Sequence, residues 1–171
     1  MENFDQQQFE TPKKRPVFLT VLCVLSIISM VSSGLSTLSA LTSQPMTADE
    51  VEAYQAEQYE NIATFKDQGM DGLENMLQSM MEMTVYQNNE IYYGYQFFNL
   101  IILIIGVIGV VFMLRMKKIG FHLYVLYSLI PVIGFYIFFP IHLIPTFLIV
   151  GSTVIAALFC ILYGMNLKHM E

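Results

Sequence analysis

The sequence predicts an all-α fold, a four-helix transmembrane bundle with a short helical hairpin in the outer loop between helices 1 and 2. Two observations carry this. Hydrophobic residues make up 55% of the chain and charged residues only 13%. The charges are confined to a leading tail, the connections and one long loop, whereas a soluble domain scatters them along amphipathic elements. The basic residues are also one-sided. Lys13, Lys14 and Arg15 precede the first apolar stretch, Arg115, Lys117 and Lys118 separate the second from the third, and Lys168 follows the fourth. Cationic flanks resist translocation, so these residues place both termini in the cytoplasm and residues 42–92 outside.

The elements follow in order. Residues 1–15 are a polar, basic tail, and residues 16–171 form a single four-helix membrane domain. The first apolar run, Val17 to about Leu41, is long enough to cross a bilayer with tilt. Lys13–Arg15, Val17–Val31 and Leu38-Ser39-Ala40 also resemble the three parts of a cleavable signal peptide. The length of the run and the acids Glu2, Asp5 and Glu10 ahead of it argue against cleavage. The second span runs from about Phe97 to Leu114, with Tyr92, Tyr93 and Tyr95 at the depth of an interfacial aromatic belt. The third runs from Ile119 to Phe139 and the fourth from about Leu143 to Leu167, parted only by a tight outer turn, Pro140 to Pro145.

The outer loop is built rather than slack. Thr47-Ala48-Asp49-Glu50 fits a capping box at a helix start. Val51, Tyr54, Tyr59, Ile62 and Phe65 then recur at near-helical spacing. Gly69 and Gly72 interrupt, and a second helix is expected from near Asp71, running on into the second span. The loop carries ten of the chain's fourteen acids, and Lys66 is its only base.

Packing and binding residues can be assigned by type. Ser26, Ser29, Ser33, Ser36 and Ala40 repeat at alternating spacings of three and four, a seam of small residues on one helical face. Lipid supplies no hydrophobic drive between helices, so close backbone approach and hydroxyl bonds must hold them together. Thr153, Ala157, Cys160 and Gly164 offer a matching row on the fourth helix, and Gly106 and Gly109 a notch on the second. The first reading is intramolecular packing. A homo-oligomer interface and a serine-lined path are alternatives.

Leu73, Met76, Met80 and Met83 share one face of the second loop helix, with Met70 and Met81 nearby. Methionine is a pliable filler and suits an adaptable partner-binding surface. A thioether cluster is also a soft Cu(I) site in principle, but neither Cys nor His lies near it in sequence.

Several functions lose support. Neither Asp, Glu, Lys nor Arg lies within an expected membrane core, where proton-coupled carriers place an ionisable group. His122 and His142 fall at opposite membrane faces, so a paired haem or metal site is not expected. Neither a nucleophile elbow, an HExxH, a phosphate-cradling glycine loop nor a Cys-x-x-Cys is present, so enzymatic activity and cofactors are not expected. Cys23 and Cys160 both lie in apolar runs, which excludes a disulfide-stapled outer domain. Nucleic acid is an improbable partner, because basic residues form no stripe with exposed aromatics.

In outline the layout resembles the tetraspanin and claudin plans. It departs from tetraspanins in having only Pro140 to Pro145 between helices 3 and 4. It departs from claudins in lacking Trp and any loop Cys. The expected partners are the lipid bilayer and another membrane or extracytoplasmic protein, with a homo-oligomer as a further option. The short loop without a glycosylation sequon points to a bacterial inner membrane. The expected function is a non-enzymatic scaffold or accessory subunit, with a small facilitator as the alternative.

Overall fold

The computed structural model describes residues 16–170, and Lys13, Lys14 and Arg15 lie outside the described residues. Among the described residues six α-helices follow one another: α1 (Val17–Thr42), α2 (Ala48–Asp67), α3 (Asp71–Tyr86), α4 (Tyr92–Leu114), α5 (Lys118–Phe138) and α6 (Thr146–Gly164). A π turn, Gln87–Ile91, joins α3 to α4. Helix therefore continues for 43 residues from Gly72 to Leu114. Four helices are long and apolar enough to cross a membrane, namely α1, the α3–α4 continuum, α5 and α6. Strand is absent among the described residues.

The local chemistry explains the boundaries. Pro16 and Pro145 stand at the N-caps of α1 and α6, where a missing N–H costs nothing because the first amides of a helix have no intrahelical partner. The fourth span accordingly starts at Thr146, three residues later than the hydropathy suggested, and it ends at Gly164. Residues Ile141–Leu143 form a 3₁₀ turn instead.

At α2 the capping box is complete. The Thr47 amide donates to Glu50 Oε2 at 2.7 Å, and the Glu50 amide donates to Thr47 Oγ1 at 3.4 Å. Gly69 then ends α2 in the left-handed conformation, φ 74°. Its N–H donates to Lys66 O and that of Met70 to Phe65 O, the paired closure of a Schellman cap. Gly72 interrupts nothing, since it lies in the first turn of α3.

The same closure ends α4. Met116 adopts φ 60°, with Met116 N–H donating to Met113 O and Lys117 N–H to Phe112 O. A left-handed conformation at a residue with a Cβ costs about 1–2 kcal/mol. Packing of the Met116 side chain against the buried cluster offsets it.

Packing runs α1–α4–α5–α6. Helix α4 is central because its glycines admit neighbours on two sides. A Cβ at Gly106 would meet both Tyr127 of α5 and Met30 of α1. Further along, Gly109 and Gly120 bring the backbones of α4 and α5 together, and a Cβ at Gly120 would overlap the Met113 amide nitrogen. The main core lies near this end, with Leu19, Leu22, Cys23, Val110, Met113, Tyr124 and Tyr163 buried and Met170 folded back onto it. Arg115, Lys117, Lys118 and Lys168 gather at this basic end.

A second, aromatic cluster holds the opposite, acidic end. Tyr95 meets Phe138 and Phe139 edge-on at 5.7 and 5.3 Å between centroids. Met83 of α3 packs there with Phe139 and Ile144.

Two outcomes check this account. Gly120→Ala is expected to destabilise the bundle by at least about 2 kcal/mol through overpacking. Gly151→Ala, where the added Cβ meets nothing within 4 Å, should leave stability within about 0.5 kcal/mol. Reversible unfolding in mixed micelles measures both. The capping box also carries a pH signature. The backbone and side-chain bonds from Thr47 hold the Glu50 carboxyl below its ordinary value of 4.5. Its contribution to helix stability is thus complete above that value and lost as pH falls through the lower folded one. Amide exchange at residues 50 and 51 should accelerate in acid beyond the intrinsic rate, and Glu50→Gln should flatten the dependence.

Candidate functional site

Two regions bear on function. The first is the junction between the membrane helices and the α2–α3 unit. Asn88, in the π turn, is buried and grips the chain leaving α1. The Met46 N–H donates to Asn88 Oδ1 at 2.7 Å, and Asn88 Nδ2 donates to the Met46 carbonyl at 3.0 Å. Tyr92 adds a bond from its hydroxyl to the Ala40 carbonyl at 2.8 Å. The extra residue of a π turn rotates the side chains that follow relative to those before it. That rotation lets one continuous helix present Asn88 to Met46 while α4 keeps its apolar faces to α1 and α5.

Helices α2 and α3 pack against each other beyond this junction, and Lys66 bonds Glu74 at 3.1 Å across their turn. The methionines expected on one surface divide. Met83 is buried against Phe139 and Ile144, and Met81 is only 2% exposed. Leu73 and Met76 are half-buried. Met80 remains open at 40%, and Met70 and Tyr59 are also exposed on this unit.

The second region is a crevice along the serine face of α1. The face of α1 buried in the bundle comprises Leu19, Leu22, Cys23, Ser26, Met30, Gly34 and Thr37. Gly34 lies under Leu103 of α4. Of the small-residue seam, Ser26 is buried, Ala40 is half-buried, and Ser29, Ser33 and Ser36 are exposed. Those three serines are not lost to lipid, because they line cavities between α1 and the helices beyond it.

The larger cavity, 580 Å³, lies between α1, α4 and α5 toward the acidic end, walled by Ser33, Ser36, Thr37, Tyr95, Gln96 and Tyr127 among others. The smaller, 320 Å³, lies deeper between α1, α5 and α6 and includes Ser29, Ser128 and Ser152. Tyr127 and Pro131 wall both, so the two adjoin along α5 and are together called the crevice. Pro131 lacks an N–H, which leaves the Tyr127 carbonyl without its usual helical donor at this wall.

Beneath the crevice Ser26 Oγ and Tyr163 Oη share a hydrogen bond at 2.8 Å, and Ser26 donates to Tyr124 Oη at 3.4 Å. These three hydroxyls tie α1 to α5 and α6.

On α6 Thr153 and Ala157 face outward, Cys160 and Gly164 are half-buried, and the buried positions are Ala156 and Tyr163. Among the described residues, His, Cys, Asp and Glu nowhere group in threes that would hold a metal. Asn88 and Gln96 were not singled out by sequence. Gln96 stands in an otherwise apolar run, which was a signal, whereas Asn88 lies in the polar stretch Gln87-Asn88-Asn89-Glu90 and gave none.

Residues 12–87 match the model of a family described as a domain of unknown function, DUF8777. The match takes in α1, α2 and α3 and leaves α4, α5 and α6 beyond it. Curated proteins and solved structures give no match.

The Asn88 clamp is open to direct test. Asn88→Ala strands the Met46 N–H and carbonyl, at a cost of about 1–3 kcal/mol. Amide exchange over residues 46–51 should rise by at least tenfold while that of α5 and α6 stays unchanged. Equal protection in variant and wild type would remove the clamp from the account.

Proposed function

We propose that this integral membrane protein is a non-enzymatic scaffold or accessory subunit that engages a partner through its α2–α3 unit. One observation carries the reading: that unit is anchored to the membrane bundle at the Asn88–Met46 junction and still leaves Met80 40% exposed, with Met70 and Tyr59 also open. An anchored surface loses little conformational freedom on binding, so it binds better than a loose loop of the same composition. Methionine at such a surface adapts to the contours of a partner.

The charge pattern supports an orientation. Arg115, Lys117, Lys118 and Lys168 stand at one end of the bundle and the acids of α2 and α3 at the other. With the basic end cytoplasmic, the α2–α3 unit is a helical hairpin on the extracytoplasmic side of what we take to be a bacterial inner membrane. The partner would be another membrane or extracytoplasmic protein.

The facilitator reading draws on the hydroxyl-lined crevice. It ranks second because the basic half of the bundle is packed with Leu19, Leu22, Met113 and Tyr163 rather than open. Copper handling ranks below both, since Met83 is engaged in apolar packing.

The test is photo-crosslinking in cells from a photoreactive amino acid at position 80. A defined hetero-complex is expected, and Met80→Lys, assayed from a probe at exposed Tyr59, should lower its yield about tenfold by placing a charge against an apolar contact. Products confined to this chain, or a yield untouched by Met80→Lys, would reject the accessory model.

A further inference from the structure

The crevice is built in a way that packing alone does not require. Gln96 and Thr37 both line it, with exposures of only 8% and 9%. Neither side chain has a hydrogen-bond partner among the described residues, whereas Ser36 and Ser128 satisfy their hydroxyls on the Ser32 and Tyr124 carbonyls of their own helices. Among the described residues every sealed side-chain N or O atom has a partner, so the polar atoms of Gln96 and Thr37 open into the crevice. At membrane depth such atoms need a partner from whatever fills the space, and two on one wall point to an occupant that bonds to them.

The wall also sorts candidates. The described residues lining both cavities carry neither a carboxylate nor a cationic group, so a charged ligand would be desolvated without compensation. Polarity is graded along the crevice. The larger part offers Gln96, Thr37 and the α1 serines, and the deeper part is walled mainly by Leu25, Val132, Ile155 and Phe159. Water, or a free polyol, would answer Gln96 and Thr37 but leave the deeper apolar walls without contacts. A molecule with a neutral hydrogen-bonding head and a hydrocarbon tail matches both parts. Volumes of 580 and 320 Å³ lie within the range of about 300–1,000 Å³ typical of ligand pockets.

We infer that this crevice binds a lipid with an uncharged, hydroxyl-bearing headgroup, its head against Gln96 and Thr37 and a hydrocarbon chain along Leu25, Val132 and Phe159. The Ser26–Tyr163 bond and the core below it form the floor. Helix α1 supplies the head-binding hydroxyls and α5 the wall shared by head and tail.

The experiment uses the full chain in nanodiscs doped with one of two lipids carrying a diazirine in the acyl chain, a glycosyl diacylglycerol or a phosphatidylglycerol. The glycosyl lipid is expected to label peptides from residues 25–40 or 124–132. Gln96→Leu should reduce that labelling about tenfold, and Thr37→Val or Ser33→Val about threefold, as expected for loss of single hydrogen bonds. Ser33 is exposed and outside the core, so its variant separates loss of binding from loss of fold. Equal labelling by the anionic lipid, or labelling indifferent to all three variants, would mean ordinary surrounding lipid and a water-filled crevice, and would overturn the inference. Displacement of the label by free glycerol or hexose would overturn it in favour of a soluble polyol.

Discussion

Everything in this bundle depends on how closely α4 approaches its neighbours at Gly106 and Gly109. In water a helix is driven against others by burial of apolar surface. In lipid that drive vanishes, and association rests on van der Waals contact and hydrogen bonds between helices. Contact of that kind falls off steeply with separation, so the absence of a Cβ matters more than the presence of any large side chain. Gly106 receives Met30 and Tyr127, and Gly109 faces Gly120 across the α4–α5 contact. The tight turn at Arg115–Lys117 follows from the same approach, because two helices this close leave little chain to connect them. It is short enough to need a left-handed residue, and Met116 adopts that conformation in place of glycine.

Polar groups are handled differently at the two ends. At the basic end the Ser26, Tyr124 and Tyr163 hydroxyls face one another, so three polar atoms are satisfied within a packed apolar cluster. At the acidic end the rings of Tyr95, Phe98, Phe138 and Phe139 stack the helices without polar links. Polar side chains there are spent on backbone instead, with Asn88 serving Met46 and Tyr92 serving Ala40. The serine crevice lies between these two regimes, lined by α1, α4, α5 and α6.

Much of this fold is legible in the sequence because it depends on local properties. Hydropathy marks the four spans, and Thr47 with Glu50 marks the start of α2, since a capping box involves only residues three apart. The role of Gly69 was harder to read. A glycine interrupting a helical pattern and one ending a helix look alike until the next residues are seen to bond back to Phe65 and Lys66. The face of α1 turned to α4 was harder still. Ser29, Ser33 and Ser36 keep a regular spacing, yet Met30, Gly34 and Thr37, each one residue further on, are the buried ones. One residue is a rotation of roughly 100° on a helix, and several faces of α1 are small enough to pack. The partner's shape, with Leu103 fitting over Gly34, makes the choice, and a single sequence does not carry that information. Asn88 and Gln96 were illegible for the same reason, since their importance lies in what surrounds them.

The π turn connects the two functional regions. Gln87 lines the crevice beside α1, and Asn88, the next residue, holds Met46 at the base of α2. Adjacent residues of a regular helix also diverge by roughly 100°, so one turn can serve two sites on different sides. A π turn is less stable than the α-helix on either side and persists where tertiary contacts hold it. Here the contacts that hold it are the Asn88–Met46 bonds. The α2–α3 unit and the crevice therefore share a support in the π turn.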